Sequence, residues 1–143
     1  SAQEVAERSA EAMWAKDSAS KWLGMRLDAV GPGTATGSMT VEQHHTNGHD
    51  ICHGGYIFTL ADSAFAFACN SYNRLVVAQH NSITFVAPGK LGDTLTAVCR
   101  EVARYGRSGI YDVKVTNQHG ALVAEFRGMS RTIEGKHFDG EQL

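Results

Sequence analysis

The chain has 143 residues, 43% of them hydrophobic and 20% charged, which is enough for one domain with an ordinary core. Its formal net charge of −2 gives no basic field for nucleic acid and no polybasic patch for a membrane surface. The three cysteines are an odd number without a CxxC pair, which favours reduced thiols in a cytoplasmic protein. The first 17 residues are amphipathic and lack the apolar core of a signal peptide.

The first predicted elements are a helix, a helical turn and a strand hairpin. Residues 2–16 are predicted to form a helix whose modest apolar face places it on the outside of the fold. A helical turn at 20–23 ends at Gly24. Residues 25–30 and 34–41 then indicate two strands around a Gly-Pro-Gly turn.

The most apolar segment follows a histidine-rich loop and is predicted to be a helix over 53–73. It has almost no polar face and no glycine or proline after Gly55, so we expect it to be buried on nearly all sides. It is too short for a membrane span, and it carries one acid, Asp62. Burying a lone carboxylate is costly unless it is paired or has a task, which makes Asp62 the first functional candidate.

The rest of the chain is predicted to be antiparallel sheet. Strands are expected at 76–86, 93–105, 109–117 and 121–133, and the polar residues 134–143 are expected to form a frayed tail. No helices recur between these strands, and a helix that is apolar all round needs a partner that encloses it. The prediction is therefore a single α+β domain over 1–143, with a long antiparallel sheet wrapped around a central buried helix, the hotdog arrangement.

Gly54-Gly55 opens the buried helix, where the first backbone N–H groups have no partner within the helix. Because Gly54 has no side chain, a carbonyl oxygen that becomes an anion during attack could approach these donors. The alternative interpretation is that the two glycines only allow a tight turn into the helix.

Asp62 lies eight residues after Gly54, which corresponds to about 12 Å along a helix. A general base and an oxyanion donor must both act within about 3 Å of the reacting group, so one chain does not bring the pair to one carbonyl. In a two-fold dimer with antiparallel helices, Gly54 of one chain would face Asp62 of the other. Alternatively, Asp62 is a buried acid satisfied by an arginine or by backbone donors.

Other polar residues offer weaker signals. Asn47 could hold a water or a carbonyl, or it could simply form a turn with Gly48. A metal site is disfavoured because its potential ligands fall within ten residues and lack a second group: His44, His45, His49, Cys52 and His53. Cys52 beside His53 lacks the third partner of an activated nucleophile. The basic residues that could meet phosphates, or could equally be surface residues, include Lys90, Arg104 and Arg107.

Together these residues form a recognisable motif. The run N-G-H-x-x-x-H-G-G-x-x-x-x-x-x-D, from Asn47 to Asp62, resembles the acyl-CoA thioesterase motif of the hotdog superfamily. More narrowly, residues 53–71, 84–97 and 123–133 resemble the PaaI-type thioesterases of phenylacetate degradation. The resemblance covers residues 14–134.

The resemblance implies hydrolysis of CoA thioesters, with a preference for phenylacetyl and ring-hydroxylated phenylacetyl groups, and with no metal or cofactor. It implies cytoplasmic dimers that pair into tetramers. Gly54 would supply the N–H that polarises the thioester carbonyl, with His53 and Asn47 helping to place carbonyl and water. Asp62 of the opposite subunit would activate water or attack the carbonyl directly. The residues expected to contact the rest of the substrate are Gly55, Lys90, Arg104 and Arg107.

One departure and three alternatives remain open. Some relatives carry a serine or threonine that orients the water early in the strand after the helix, where this chain has Ala78 followed by Gln-His-Asn-Ser. A non-catalytic acyl-CoA binding protein would not require a buried base. An enoyl-CoA hydratase would pair an acid such as Asp50 with His53. A metal-dependent hydrolase would use the histidine cluster.

Overall fold

The computed structural model describes residues 1–143 as one antiparallel sheet with a long helix packed across it. The helices are α1 (Ala2–Lys16), α2 (Ser18–Leu23) and α3 (Gly54–Cys69), with a short 3-10 turn at Gln43–His45. The strands are β1 (Arg26–Gly31), β2 (Thr34–Thr40), β3 (Leu75–Phe85), β4 (Thr94–Tyr105), β5 (Ser108–Thr116) and β6 (Leu122–Ile133). The sheet has six strands in the order β1-β2-β4-β5-β6-β3, so β3 lies at an edge.

Helix α3 is the centre of the core, as its composition predicts. Its side chains Leu60, Ala61 and Ala64 are fully buried. Phe65 packs at ring-centroid distances of 5.6 Å from Tyr111 and 5.8 Å from Phe126, on the inner face of the sheet. A buried phenylalanine of this kind stabilises the fold by about 1.5–3 kcal/mol. The predicted α+β arrangement of a long antiparallel sheet around a central helix is confirmed.

The helix is shorter than the predicted range 53–73. The helix ends at Cys69, and the side-chain amide of Asn70 makes hydrogen bonds at the point where the next helical turn would begin. Asn70 Nδ2 donates to the carbonyl oxygens of Ala66, at 2.8 Å, and of Val76, at 3.0 Å, and Asn70 Oδ1 accepts from the N–H of Val76. The side chain that caps α3 therefore also fixes the start of β3.

Strand β3 contains a bulge that decides which of its side chains face the helix. Ala78 pairs with Ser130 and His80 pairs with Met129, so Gln79 is an extra residue in the ladder. Beyond the bulge, Asn81, Ile83 and Phe85 point inward toward α3, while Ser82 and Thr84 are exposed. The bulge accounts for the imperfect alternation of this segment in the sequence.

The prediction that residues 134–143 form a frayed tail is wrong. Asn73, fully buried with a φ of 57°, donates from Nδ2 to the carbonyl oxygens of Phe138, Gly140 and Glu141 at 3.0–3.2 Å. Asn73 Oδ1 accepts from the N–H groups of His137 and Phe138 at 2.8 and 3.1 Å. The tail is held through its backbone by one buried amide, and nothing in the residues of the tail itself predicts that partner.

The cysteines Cys52, Cys69 and Cys99 are all buried and free. No helix combines the length and the hydrophobicity that a membrane span requires.

Candidate active site

The start of α3 presents one free backbone donor. His53 is the N-cap residue, and its ring Nδ1 accepts from the N–H of Gly55 at 2.9 Å. A nitrogen that accepts carries no proton, so the neutral ring has its proton on Nε2, which is exposed to solvent. The N–H of Gly54 makes no hydrogen bond. It therefore points along the positive end of the helix dipole with its donor available.

Gly55 differs from its neighbour, because its N–H is occupied by the ring of His53. A Cβ at position 55 would also lie 3.0 Å from His53 Nδ1. The backbone donor of Gly55 is thus used within the chain, and contact of Gly55 with the substrate stays a prediction. Its function is to let the His53 ring close over the first turn.

An aromatic ring lies against Gly54. A Cβ built on Gly54 would be 2.9 Å from Phe85 Cζ and 3.2 Å from Phe85 Cε1. Phe85 is the last residue of β3, and 51% of its surface is exposed, which is unusual for a side chain of this size and hydrophobicity. Gly54 and Phe85 form one surface in which a free N–H adjoins an open apolar ring.

Asp62 has one hydrogen-bond partner, Asn81. Asn81 Nδ2 donates to Asp62 Oδ1 at 3.1 Å, and no arginine or lysine pairs with this carboxylate. The interpretation of Asp62 as an acid neutralised by an internal arginine is therefore wrong. Burial raises the pKa of Asp62, and the hydrogen bond from Asn81 partly opposes that rise by favouring the charged form. A carboxylate held in this way binds a proton more readily than an exposed aspartate.

Asp62 and Gly54 both face strand β3, from two different heights along the axis of α3. Asn81 meets Asp62 and Phe85 meets Gly54, so β3 runs antiparallel to α3 from one group to the other. The two levels are about 12 Å apart along the helix axis. A single chain therefore keeps the base and the free N–H apart, next to a sheet edge that no other strand of the chain covers.

The loop before α3 is a small hairpin in which Thr46 pairs with Cys52. Asn47 lies one step beyond that pair, and its Oδ1 accepts from the N–H of His49 at 2.9 Å. The amide oxygen of Asn47 therefore forms the turn, and its NH₂ group makes no hydrogen bond within the chain. Asn47 is therefore a turn residue that still has one exposed donor, its NH₂ group.

The histidine cluster is held by other contacts. His45 is buried, its Nδ1 accepts from the N–H of Glu42 at 2.9 Å, and its Nε2 lies 2.8 Å from the carbonyl oxygen of Leu23. Burial lowers the pKa of His45, which favours this neutral, doubly bonded ring. His44 stacks edge-on against Trp22 at 5.4 Å. Both ring nitrogens of His45 are thus engaged in fixing the loop.

The geometry also bears on three further interpretations: a cysteine nucleophile, a hydratase pair and a metal site. Burial raises the pKa of Cys52 to about 11, so its thiol is protonated at neutral pH and is a poor nucleophile. No hydrogen bond or ion pair joins Asp50 to His53, as an acid–histidine pair of a hydratase would require. No group of three or more His, Cys, Asp or Glu side chains is arranged to hold a metal ion.

The basic residues expected to contact the substrate do not lie together. Lys90 pairs with Ile51 in an isolated bridge, which puts it beside the loop that leads into Gly54. Arg104 and Arg107 lie at the other end of β4, roughly 36 Å of strand away. Arg104 is 3.6 Å from the ring of Tyr72 and donates to the carbonyl oxygen of Leu143 at 2.7 Å. Lys90 is therefore separated from the two arginines within one chain, and contact of these three residues with CoA stays a prediction.

Asn81 and Phe85 are the residues that sequence reasoning missed. Both share the inward face of β3 with Ile83, so counting back by two from that apolar residue identifies Asn81 as a polar side chain facing the core. The signal for Phe85 was weaker, because a phenylalanine near a strand end is usually a core residue.

Known proteins with similar sequences and folds identify the family of this chain. Residues 49–124 match the family model of the thioesterase superfamily. The acyl-coenzyme A thioesterase PaaI of Escherichia coli K12 is 43% identical over 128 residues, which cover 90% of this chain and 91% of that protein. The structure of E. coli PaaI superimposes with a TM-score of 0.93 at 42% identity, covering 95% of this chain and 99% of the other.

Two other solved structures extend the comparison. A variant of the phenylacetic acid degradation protein PaaI of Thermus thermophilus has a TM-score of 0.79 at 32% identity, covering 82% of this chain and 100% of the other. A hypothetical thioesterase of Streptococcus pneumoniae, solved with coenzyme A, has a TM-score of 0.75 at 26% identity, covering 78% of this chain and 88% of the other.

The fold and the match to acyl-CoA thioesterases identify a hotdog-fold thioester hydrolase. This chain belongs to the thioesterase superfamily.

Proposed function

We propose that this thioesterase hydrolyses acyl-CoA thioesters whose acyl group is of the phenylacetyl class, releasing the free acid and CoA. The observation that carries the proposal is the surface formed by Gly54 and Phe85, an unpaired N–H beside an open aromatic ring. A carbonyl that accepts from Gly54 would bring a ring one methylene away into contact with Phe85, and aromatic pairs favour such contacts. The similarity to proteins named PaaI supports the same substrate class.

In this proposal the N–H of Gly54 polarises the thioester carbonyl and stabilises the oxyanion that forms during attack. Two further donors help to place the carbonyl and the water. They are the Nε2–H of His53 and the NH₂ group of Asn47, neither of which is used in the hydrogen bonds of the loop. A thioester needs few further groups, because its carbonyl is electrophilic and the CoA thiolate is a good leaving group. The remaining requirement is a base with water.

Asp62 of a second chain supplies that base. The separation of about 12 Å within one helix excludes a shared carbonyl in a single chain, and the open edge of β3 lies next to both groups. Two chains whose β3 edges meet about a two-fold axis perpendicular to the strands are antiparallel, so Gly54 of each comes to the Asp62 level of the other. The active assembly is therefore a homodimer, and we propose that two dimers associate into a tetramer.

The same symmetry gives the basic residues a common function. Lys90 lies near its own Gly54, whereas Arg104 and Arg107 lie past the far end of α3. In an antiparallel pair, the far end of one helix approaches the Gly54 end of the other. We propose that Lys90 of one chain and the two arginines of its partner bind the phosphates of the CoA nucleotide.

Three free, buried cysteines are in keeping with a reducing compartment, so we propose that the enzyme works in the cytoplasm. The chemistry assigned here uses no metal and no cofactor.

A panel of CoA thioesters tests the substrate class. We expect release of free thiol, detected with a thiol-reactive dye, to have its highest kcat/KM with phenylacetyl or hydroxyphenylacetyl-CoA rather than with acetyl-CoA. Binding of phenylacetyl-CoA without thiol release would instead identify a binding protein, and hydration of an enoyl-CoA would identify a hydratase. Sedimentation at assay concentration tests the dimer, because an active monomer would contradict the shared site.

A further inference from the structure

Asn81 carries an unsatisfied polar atom beside the base. Its Nδ2 donates to Asp62 Oδ1, while its Oδ1 is buried and has no hydrogen-bond partner. Ser9 Oγ is the other buried side-chain atom of the protein in that state. An orphaned amide oxygen costs about 1–3 kcal/mol of desolvation, so its retention next to a functional carboxylate calls for a ligand that donates to it.

The orientation of the Asn81 amide follows from its neighbour. An ionised carboxylate accepts hydrogen bonds and donates none, so the NH₂ group of Asn81 must face Asp62. The amide oxygen is thereby turned away from Asp62 while remaining on the inward face of β3. Two groups that can accept from a donor, the Asp62 carboxylate and Asn81 Oδ1, are thus linked through one amide on the edge strand β3.

We propose that Asn81 holds the hydrolytic water, a role that rests on the proposed thioesterase function. The water donates one O–H to Asp62 and the other to Asn81 Oδ1, which directs an oxygen lone pair away from both acceptors. Across the open edge of β3, that direction leads to the carbonyl polarised by Gly54 of the second chain. Asn81 thus supplies the water-orienting group that Ala78, which has no hydroxyl, cannot supply.

The resulting step balances without a further reactant. The water oxygen bonds to the carbonyl carbon as Asp62 takes one of its protons, and the C–S bond then breaks. The electron pair leaves with the CoA thiolate, which receives the proton from Asp62. The second hydrogen of the water stays on the carboxylic acid product, which ionises in solution. In this scheme Asp62 is a general base and forms no covalent intermediate.

Asn81→Leu tests the role, because leucine keeps the branching at Cγ and the number of non-hydrogen side-chain atoms but lacks both the donor and the acceptor. We expect kcat to fall about 100-fold, the scale for misplacing a reacting group, while KM for phenylacetyl-CoA changes less than about twofold. The control is Ser82→Ala, on the exposed face of the same strand, which should retain wild-type kcat. Unchanged kcat in Asn81→Leu would overturn the proposal.

The pH profile separates water positioning from general damage to the fold. The hydrogen bond from Asn81 favours the charged form of Asp62, and the titratable group that senses Asp62 is Cys69 on the same helix. Without Asn81, the acid limb of kcat/KM should move to higher pH, and kcat should stay low above that limb. A lower kcat with an unmoved acid limb would assign Asn81 a structural role. If Asn81→Leu fails to fold, Asn81→Ser and Asn81→Ala are compared instead. Asn81→Ser should retain more activity than Asn81→Ala, because the serine hydroxyl can accept a hydrogen bond from the same water.

Isotope labelling tests the chemical step directly. In a single turnover in ¹⁸O-water with enzyme in excess, the label should enter the released acid and not the peptide that contains Asp62. Label in that peptide would indicate attack by Asp62 itself and would overturn the water-holding role. Absence of thiol release by the wild-type enzyme would contradict the proposed function instead, so the two failures are distinguishable.

Discussion

The ring of Phe85 closes against the backbone of Gly54, with 2.9 Å between Phe85 Cζ and the position of a Cβ on residue 54. This contact explains why residue 54 is a glycine in terms of space and not of backbone angle, since its φ lies outside the left-handed region. It also joins the last residue of β3 to the first residue of α3. One contact therefore positions both the free N–H of Gly54 and the apolar ring of Phe85.

Gly54→Ala should retain the fold and lose activity. The added methyl displaces a ring that is half exposed, so the free energy of unfolding should change by less than about 1 kcal/mol. The carbonyl can no longer approach the free N–H, and kcat should fall at least about 100-fold, as for loss of an oxyanion donor. Gly48→Ala is the matched control in the preceding loop, because no atom lies within 4 Å of its added Cβ. Wild-type turnover by Gly54→Ala would remove this N–H from the mechanism.

Phe85→Leu should change selectivity more than overall rate. We expect kcat/KM for phenylacetyl-CoA to fall about tenfold relative to butyryl-CoA, because an aromatic contact is lost while an apolar wall remains. Steady-state rates with the two substrates measure the ratio, and Thr84→Ala, exposed on the same strand, is the control. An unchanged ratio would mean that the acyl group does not meet this ring.

Asp62→Asn should lose activity without losing stability. We expect kcat to fall by at least about 100-fold, the scale for removing a positioned base, with the oligomer intact. Burial raises the pKa of Asp62, so the ionised carboxylate destabilises the folded state at neutral pH. The stabilisation of the folded state that comes from protonating Asp62 is fully present below the pKa of Asp62 in the unfolded chain. It is lost as the pH rises through the higher pKa of Asp62 in the folded chain. The Tm of Asp62→Asn at pH 7 should therefore equal or exceed that of the wild type, and the difference should shrink as the pH falls.

Activity itself should be lost on acidification. The water can be activated only by the ionised form of Asp62, whose pKa lies above its ordinary value of 3.8. The acid limb of kcat/KM should therefore appear above that value, with the rate decreasing as the pH decreases through it. An acid limb at or below the pKa of an exposed aspartate would show that this carboxylate does not limit the reaction.

Asn73 should be a determinant of stability remote from the chemistry. Asn73→Ala removes five hydrogen bonds to the backbone of residues 137–141. It also imposes strain at a φ of 57°, so we expect the free energy of unfolding to fall by about 2–3 kcal/mol. Asn73→Gly relieves the backbone strain and should recover part of the loss in urea melts. Proteolysis of residues 134–143 should accelerate in both variants while kcat stays unchanged.

The sequence was sufficient for the fold because its strongest patterns are local. The apolar run from Tyr56 to Cys69 has a helical length, and the strands after it alternate between Gly-containing turns. The motif from Asn47 to Asp62 likewise lies in one continuous segment, so its chemistry could be read before the fold was known. The capping side chains were harder to predict, because Asn70 acts on residues from two different elements.

What the sequence missed depends on long-range pairing. The bulge at Gln79 interrupts the period of β3, so its inward face could not be followed through the strand from one end. Asn73 holds residues that are more than 60 positions away in sequence. The separation of Lys90 from Arg104 follows from the length of β4 and the order of the strands, neither of which is visible in the charge of the residues.

The free donor at Gly54 also limits the enzyme that it serves. A carboxylate accepts from a helix N-terminus as readily as an oxyanion does, and each hydrolysis releases a carboxylate at that place. In the proposed mechanism the liberated acid therefore competes with incoming thioester, and we expect turnover to slow as the acid accumulates. Sustained flux through such a site depends on a downstream step that removes the acid.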